Sequence, residues 1–200
     1  MLTRGTISPV LSARHKQMLE VESGIDPETI RERGYFTAHD TEILAELGFS
    51  EWQRSTPALM VPVHGVDGNV RFHRARPDEP RTDAAKPGKR VKYEQPQGTG
   101  LALDVPPSAR PHLIDTGKRL WIVEGEKKAD ALVSRGEVAV ALLGVWAWKR
   151  NGYPLPDWDC IPMIGREVRV LFDSDSAEKV EVRHALYSLS RFLRVKVHGA

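Results

Sequence analysis

Two short apolar runs that break off into carboxylates limit the folds open to this chain more than anything else in it. The first is Arg119 to Asp130, RLWIVEGEKKAD, apolar up to Glu124; the second is Val168 to Asp175, VRVLFDSD, apolar up to Asp173 and Asp175. Brief apolar runs bounded by turn formers read as buried strands. The segments around them alternate. Leu120 to Glu124 is expected as a strand, Glu126 to Arg135 as a helix, Val138 to Leu143 and Glu167 to Phe172 as strands, and Ala177 to Leu193 as a long helix, with Val195 to Val197 opening a last strand. Strand and helix in alternation predict an α/β fold, a parallel sheet flanked by helices and joined by right-handed crossovers. Ligands in such sheets lie at the carboxyl ends of the strands. Glu124, Asp173 and Asp175 are expected there.

Glycine follows Glu124 at Gly125 and the next strand at Gly144, so the backbone can turn sharply and a ligand can come close. Asp173 and Asp175 are two residues apart and share a face if extended geometry persists. Neighbouring carboxylates repel unless a cation lies between them. Mg²⁺, or Mn²⁺ in its place, suits such a set, since Mg²⁺ takes one or two carboxylates plus water and substrate phosphates. A D-x-D pair alone is equally an N-cap for the helix after it.

The first half has another character. Pro9 to Glu22 carries a helical apolar stripe; a second helix starts at Asp26-Pro27-Glu28 and stops at Gly34; Thr37 caps a third, Ala38 to Leu47. ALMVPV from Ala58, the turn Asp67-Gly68-Asn69 and an alternating run from Val70 to Arg74 form an expected hairpin, and VKYE reads as a third short strand. Between Arg71 and Lys92 stand eight Lys or Arg against three acids. Pro77, Pro80, Pro87 and Gly88 make this basic stretch more loop than helix. Arg71, Arg74, Arg76, Lys89 and Lys92 are its candidate phosphate contacts, and Phe72 and Tyr93 could stack on bases. The proline-rich Leu101 to Pro111 reads as a linker or a short turn of helix, with Pro107 suited to open that turn and a domain boundary near Thr116. Residues 1–115 are then an α+β subdomain with the hairpin, and 116–200 the parallel α/β domain.

Composition removes several classes. A net charge of +2 hides the basic cluster, a single cysteine excludes an internal disulfide framework or a Cys-rich zinc module, and the seven histidines lack zinc-ligand spacing. No run approaches the roughly 18 apolar residues of a membrane helix, and no signal-like segment opens the chain. A cytoplasmic protein without membrane contact is expected. Trp146, Trp148 and Trp158 lie among Pro154, Pro156 and Pro162 and are expected mostly to pack a loop onto the sheet.

V-E-G before a helix, L-G after the next strand and F-D-S-D after the third resemble the TOPRIM domain, shared by bacterial primases of the DnaG type, topoisomerases and OLD-type nucleases. The likeness runs from Arg119 to Ala200. It implies that Glu124 is the family's glutamate, that Asp173 and Asp175 are its aspartate pair, and that all three bind divalent metal and serve catalysis. Many primase members carry an aspartate where this chain has Lys128, with Asp130 two places on; the chain also stops as the last expected strand opens, which suggests a C-terminally shortened domain. Further back, V-P-V, the D-G turn, R-x-R and G-K-x-x-K-Y-E are similar to the subdomain ahead of TOPRIM in primases and in phage and plasmid primase-helicases. That likeness implies that Arg74, Arg76 and Lys92, with Arg71 as a substitute for either arginine, contact template or nucleotide, and Lys127 or Lys128 the triphosphate.

The expectation is therefore a primase, a DNA-directed RNA polymerase joining ribonucleoside triphosphates on single-stranded DNA in phage or plasmid replication. With one cysteine, template selection would fall to another chain or a replicative helicase. The alternatives are a metal-dependent nuclease on the same carboxylates, or a nucleic-acid-binding module without catalysis. Topoisomerase chemistry needs a tyrosine nucleophile in a further domain.

Overall fold

A computed structural model describes residues 10–172 and 179–199. The chain opens with α1 (Ala13–Gln17), which widens into a π turn over Met18–Glu22, and α2 (Pro27–Arg33). Ser12 caps α1 and Asp26 caps α2, each side chain accepting a backbone N–H of the first turn. Three residues form β1 (Phe36–Ala38), and α3 (Thr41–Glu46) follows, capped by Asp40. Thr37, the expected cap, lies in β1 instead. Strands β2 (Ala58–His64) and β3 (Val70–Pro77) make the anticipated hairpin, and the sheet order is β1-β2-β3, all antiparallel.

The unbroken apolar run of β2 has a simple cause: both its faces are covered. Leu59 and Val61 pack with Met18, Leu19 and Ile30 from the first two helices and with Ile25 between them, whereas Ala58 and Met60 pack with Phe36, Leu44 and Phe49. Pro62 lacks an N–H to donate, and it lies past the end of β1, whose Phe36 pairs with Met60. VKYE does not extend into a strand. It contributes one antiparallel bridge, Glu94 with Ala75, while the basic loop before it folds back through a bridge of Thr82 with Arg90.

The second half contains β4 (Leu120–Glu124), α4 (Glu126–Val133), β5 (Val138–Leu142), the small hairpin β6 (Lys149–Arg150) and β7 (Tyr153–Pro154), β8 (Val168–Leu171) and α5 (Val180–His198). The main sheet has the order β5-β4-β8, every pair parallel. Alternation along β4 divides its cargo. Leu120 and Ile122 face a core shared with Val138, Val140, Trp158 and with Leu189 and Leu193 of α5; Val123 faces Ala129 of α4. The sheet is thus sandwiched between α5 and α4.

Two expectations need correction here. No strand opens at Val195: α5 runs on to His198 and ends at Gly199 in the left-handed region (φ 68°). The helical spacing Leu189, Leu193, Val197 keeps apolar side chains on the core, which outweighs the local alternation of VKV. Leu101 to Pro111 runs into the expected short helical turn, at Arg110–His112, but it is no mere linker before that. Leu103 and Val105 are fully buried in the main core, and Asp104 exchanges both backbone hydrogen bonds with Ala141 at the outer edge of β5.

Asp104 also enters a buried ionic knot. Arg33 of α2 donates to Asp104 Oδ1 (2.7 Å), to Asp130 Oδ1 of α4 (2.7 and 2.9 Å) and to the Pro62 carbonyl (3.1 Å), while the Tyr35 hydroxyl donates to Asp130 Oδ2 at 2.5 Å. Arg33, Asp104 and Asp130 are all buried. One guanidinium therefore joins α2, β2, the edge of β5 and α4, fixing the antiparallel sheet against the parallel one.

Candidate active site

The carboxyl end of β4 opens onto a cleft of about 310 Å³. Glu124, half-buried, ends the strand opposite Leu142 of β5. Gly125 follows at φ 92°, ψ 143°, a conformation nearly restricted to glycine, and its N–H bonds to the Leu142 carbonyl at 2.9 Å. This kink starts α4 directly behind Glu124. Gly144 turns the chain away after β5 at φ 148° and lines the same cleft.

The opposite wall comes from β3. Arg74 and Arg76 are two residues apart and project from one face of the strand toward the cleft, joined there by Lys92 and Tyr93. Tyr93 is a platform for both arginines, its ring 4.5 Å from the Arg74 guanidinium carbon and 5.5 Å from that of Arg76. Lys127 and Lys128 from the first turn of α4 complete the lining. Burial pulls the Lys127 ammonium below the usual lysine range, and repulsion from Arg76 and Lys92 adds to it. Such crowding of cations is relieved when an anion enters.

Arg71 lies elsewhere. It is the bulge residue of β3, unpaired between Val70, opposite His64, and Phe72, opposite Val63; it pairs with Asp67 of the hairpin turn (3.3 Å) and does not line the cleft. Lys89 lines a second depression of about 620 Å³, which shares Arg74, Lys92, Tyr93 and Glu124 with the first and so continues it. Asp130 does not stand in for the aspartate replaced by Lys128, since it is buried against Arg33 and Tyr35. Asp173 and Asp175 lie outside the described residues. Phe172 precedes them and follows Leu171, which pairs with Val123, the neighbour of Glu124.

Sequence reasoning overlooked two participants. Arg90 lines the second depression, and Glu126 is buried at the base of the cleft, accepting a hydrogen bond from Arg74 Nη1 at 2.8 Å. The E-G-E spacing in VEGEK was the available signal for Glu126. Arg81, by contrast, is spent on structure: it pairs with buried Glu94 (2.6 Å) and lies over Trp52. Trp148 and Trp158 are buried, stacked and edge-on against Phe192 of α5, whereas Trp146 is partly exposed. Phe72 is half-buried and does not line the cleft.

The donor set suits a hard cation only in part among the described residues. Glu124 offers carboxylate oxygens at the cleft, Glu126 is occupied by Arg74, and no group of three His, Cys, Asp or Glu side chains comes together there.

The whole architecture is similar to solved primase structures. The DnaG catalytic core superposes with a TM-score of 0.57 at 19% identity, covering 89% of this chain and 59% of that one. The Aquifex aeolicus primase, in a structure of its zinc-binding and RNA polymerase domains, gives 0.56 at 16% identity, covering 88% of this chain and 46% of that one. The chain has the primase-type TOPRIM fold. A DnaG primase catalytic domain bound to single-stranded DNA gives 0.55 at 19% identity, with coverage of 88% and 58%. The chain thus spans about half to three-fifths of the length of these primases. A family model described as a domain of unknown function, DUF3854, matches residues 113–198, which include the parallel sheet. No curated protein matches by sequence. Among the described residues, no helix is long and apolar enough to cross a membrane.

Proposed function

We propose that this chain is the polymerising part of a primase, joining ribonucleoside triphosphates on a single-stranded DNA template in phage or plasmid replication. The observation that carries this reading is the meeting of Glu124, at the carboxyl end of the parallel sheet, with Arg74, Arg76, Lys92, Lys127 and Lys128 in one cleft. An acid flanked by that many cations suits a ligand that is itself polyanionic and brings a divalent metal.

In this reading Glu124, Asp173 and Asp175 hold Mg²⁺ or Mn²⁺. When bound, the ion supplies activation of the attacking 3′-hydroxyl and neutralisation of the leaving pyrophosphate. Arg76, Lys127 and Lys128 hold the triphosphate, helped by the partial positive charge at the start of α4. Lys89, Arg90 and Lys92, along the adjoining depression, follow the template backbone, which single-strand binders track with cationic grooves. Arg74 stands where the two meet. In this reading another chain or a replicative helicase delivers the template in the cell.

The test is primer synthesis on single-stranded DNA with the four ribonucleotides and Mg²⁺. Labelled RNA from the wild type, with none from Glu124→Ala or Asp173→Ala variants that melt normally, is the expected result. No product from the wild type, or full product from either variant, would refute it. Cleavage of the template in place of synthesis would point to nuclease chemistry on the same acids.

A further inference from the structure

Glu126 stands out as a buried acid at the base of a cleft that otherwise collects cations. Its side chain is 1% exposed, and its Oε1 accepts from Arg74 Nη1 at 2.8 Å. A negative charge there weakens the field that an anionic ligand would feel, so its place calls for another role. Arg74 shows what that role is. Its guanidinium is gripped at Nη1 by Glu126 and on one face by the Tyr93 ring, and its side chain is only 13% exposed. Its Nε is buried without a hydrogen-bond partner among the described residues.

An arginine offers its donors as planar forks that match two oxygens of a phosphate. With Nη1 taken, the edge made by Nε and Nη2 is the fork left to Arg74. A buried donor without a partner costs on the order of 1–3 kcal/mol, and a phosphate oxygen is the acceptor that a cleft of this composition would bring. Resting on the nucleotide-binding reading above, we propose that Glu126 is a positioning residue: with Tyr93 it locks Arg74 so that its Nε/Nη2 edge receives a phosphate of the incoming triphosphate. The ligand class is a polyphosphate monoester, and Glu126 itself touches none of it.

The proposal makes a prediction opposite in sign to simple electrostatics. Calorimetric titration of the whole chain with inorganic tripolyphosphate, at fixed ionic strength, would compare wild type, Glu126→Gln, Arg74→Ala and the double variant. Glu126→Gln is expected to bind about tenfold more weakly, the size of one charge-assisted hydrogen bond, although it removes a negative charge from the cleft. In the Arg74→Ala background the same change should bring no further loss. Unchanged or tighter binding by Glu126→Gln, or an equal loss in both backgrounds, would overturn the positioning role and leave the cleft reading intact. Absence of binding by the wild type would remove the cleft reading and the proposal with it. Should Glu126→Gln melt far below the wild type, Arg74→Lys decides: it keeps the charge and loses the fork. It is expected to match Arg74→Ala, and wild-type affinity would overturn the proposal.

Discussion

At the scale of single residues the most consequential arrangement is the pair of buried aspartates sharing one arginine. Burial drives the Asp130 carboxyl up to about 6 from an ordinary value of 3.8, against the pull of Arg33, and nearby Asp104 pushes the same way. As pH falls, the folded protein protonates Asp130 near 6, while the unfolded chain waits until about 3.8. Stability from this group is therefore fully present below 3.8 and lost as pH rises through about 6. Asp130→Asn cannot titrate. Denaturant unfolding between pH 4 and 8 should show the wild type losing stability relative to the variant as pH rises through this window; parallel curves would contradict it. None of this could be read from sequence. Arg33, Asp104 and Asp130 each look like ordinary solvated charges, and their meeting depends on contacts between residues 71 and 97 positions apart.

At the scale of elements, the joint between β4 and α4 holds Glu124 in place, and Gly125 sets its angle. The backbone there (φ 92°, ψ 143°) is costly for any residue with a Cβ, although open space surrounds the position. Gly125→Ala should therefore cost about 1–3 kcal/mol of stability through backbone strain alone. A chemical denaturation midpoint unchanged from wild type would show the strain to be absent. This joint was legible in the sequence because the strand signal, the acid and the glycine are consecutive. The same holds for β2 and β5, where continuous apolar runs mark strands covered on both faces. Local pattern failed where tertiary packing decided. Three residues of β1 are too few for any periodicity, VKV at 195–197 alternates like a strand yet continues the apolar stripe of α5, and Leu103 and Val105 hide in a proline-rich stretch. Arg71 could not be told from Arg74 by charge; the bulge that takes Arg71 out of the β3 ladder and its pairing with Asp67 separate them.

At the scale of the whole molecule, a near-neutral chain gathers its positive charge where two sheets meet. The eight basic residues between Arg71 and Lys92 are divided by the fold into different tasks: Arg74, Arg76 and Lys92 line the cleft, Arg71 pairs at the hairpin turn and Arg81 pins the loop to Glu94. If the cleft and its extension follow a nucleic-acid backbone, binding must weaken with salt. Each phosphate neutralised on a single strand contributes about −0.7 to the slope of log K against log salt. Fluorescence anisotropy with a labelled oligonucleotide should show the Lys89→Ala, Lys92→Ala double variant with a slope shallower by about 1.4. An unchanged slope would place the strand elsewhere.

The proposed polymerase chemistry depends most on a divalent ion held by Glu124 together with Asp173 and Asp175. Mn²⁺ titration followed by electron paramagnetic resonance measures this without reference to turnover. Wild type should bind Mn²⁺ with saturable affinity, and Glu124→Gln and Asp173→Asn should each weaken it by at least about tenfold. Wild-type Mn²⁺ affinity in Glu124→Gln would contradict the account.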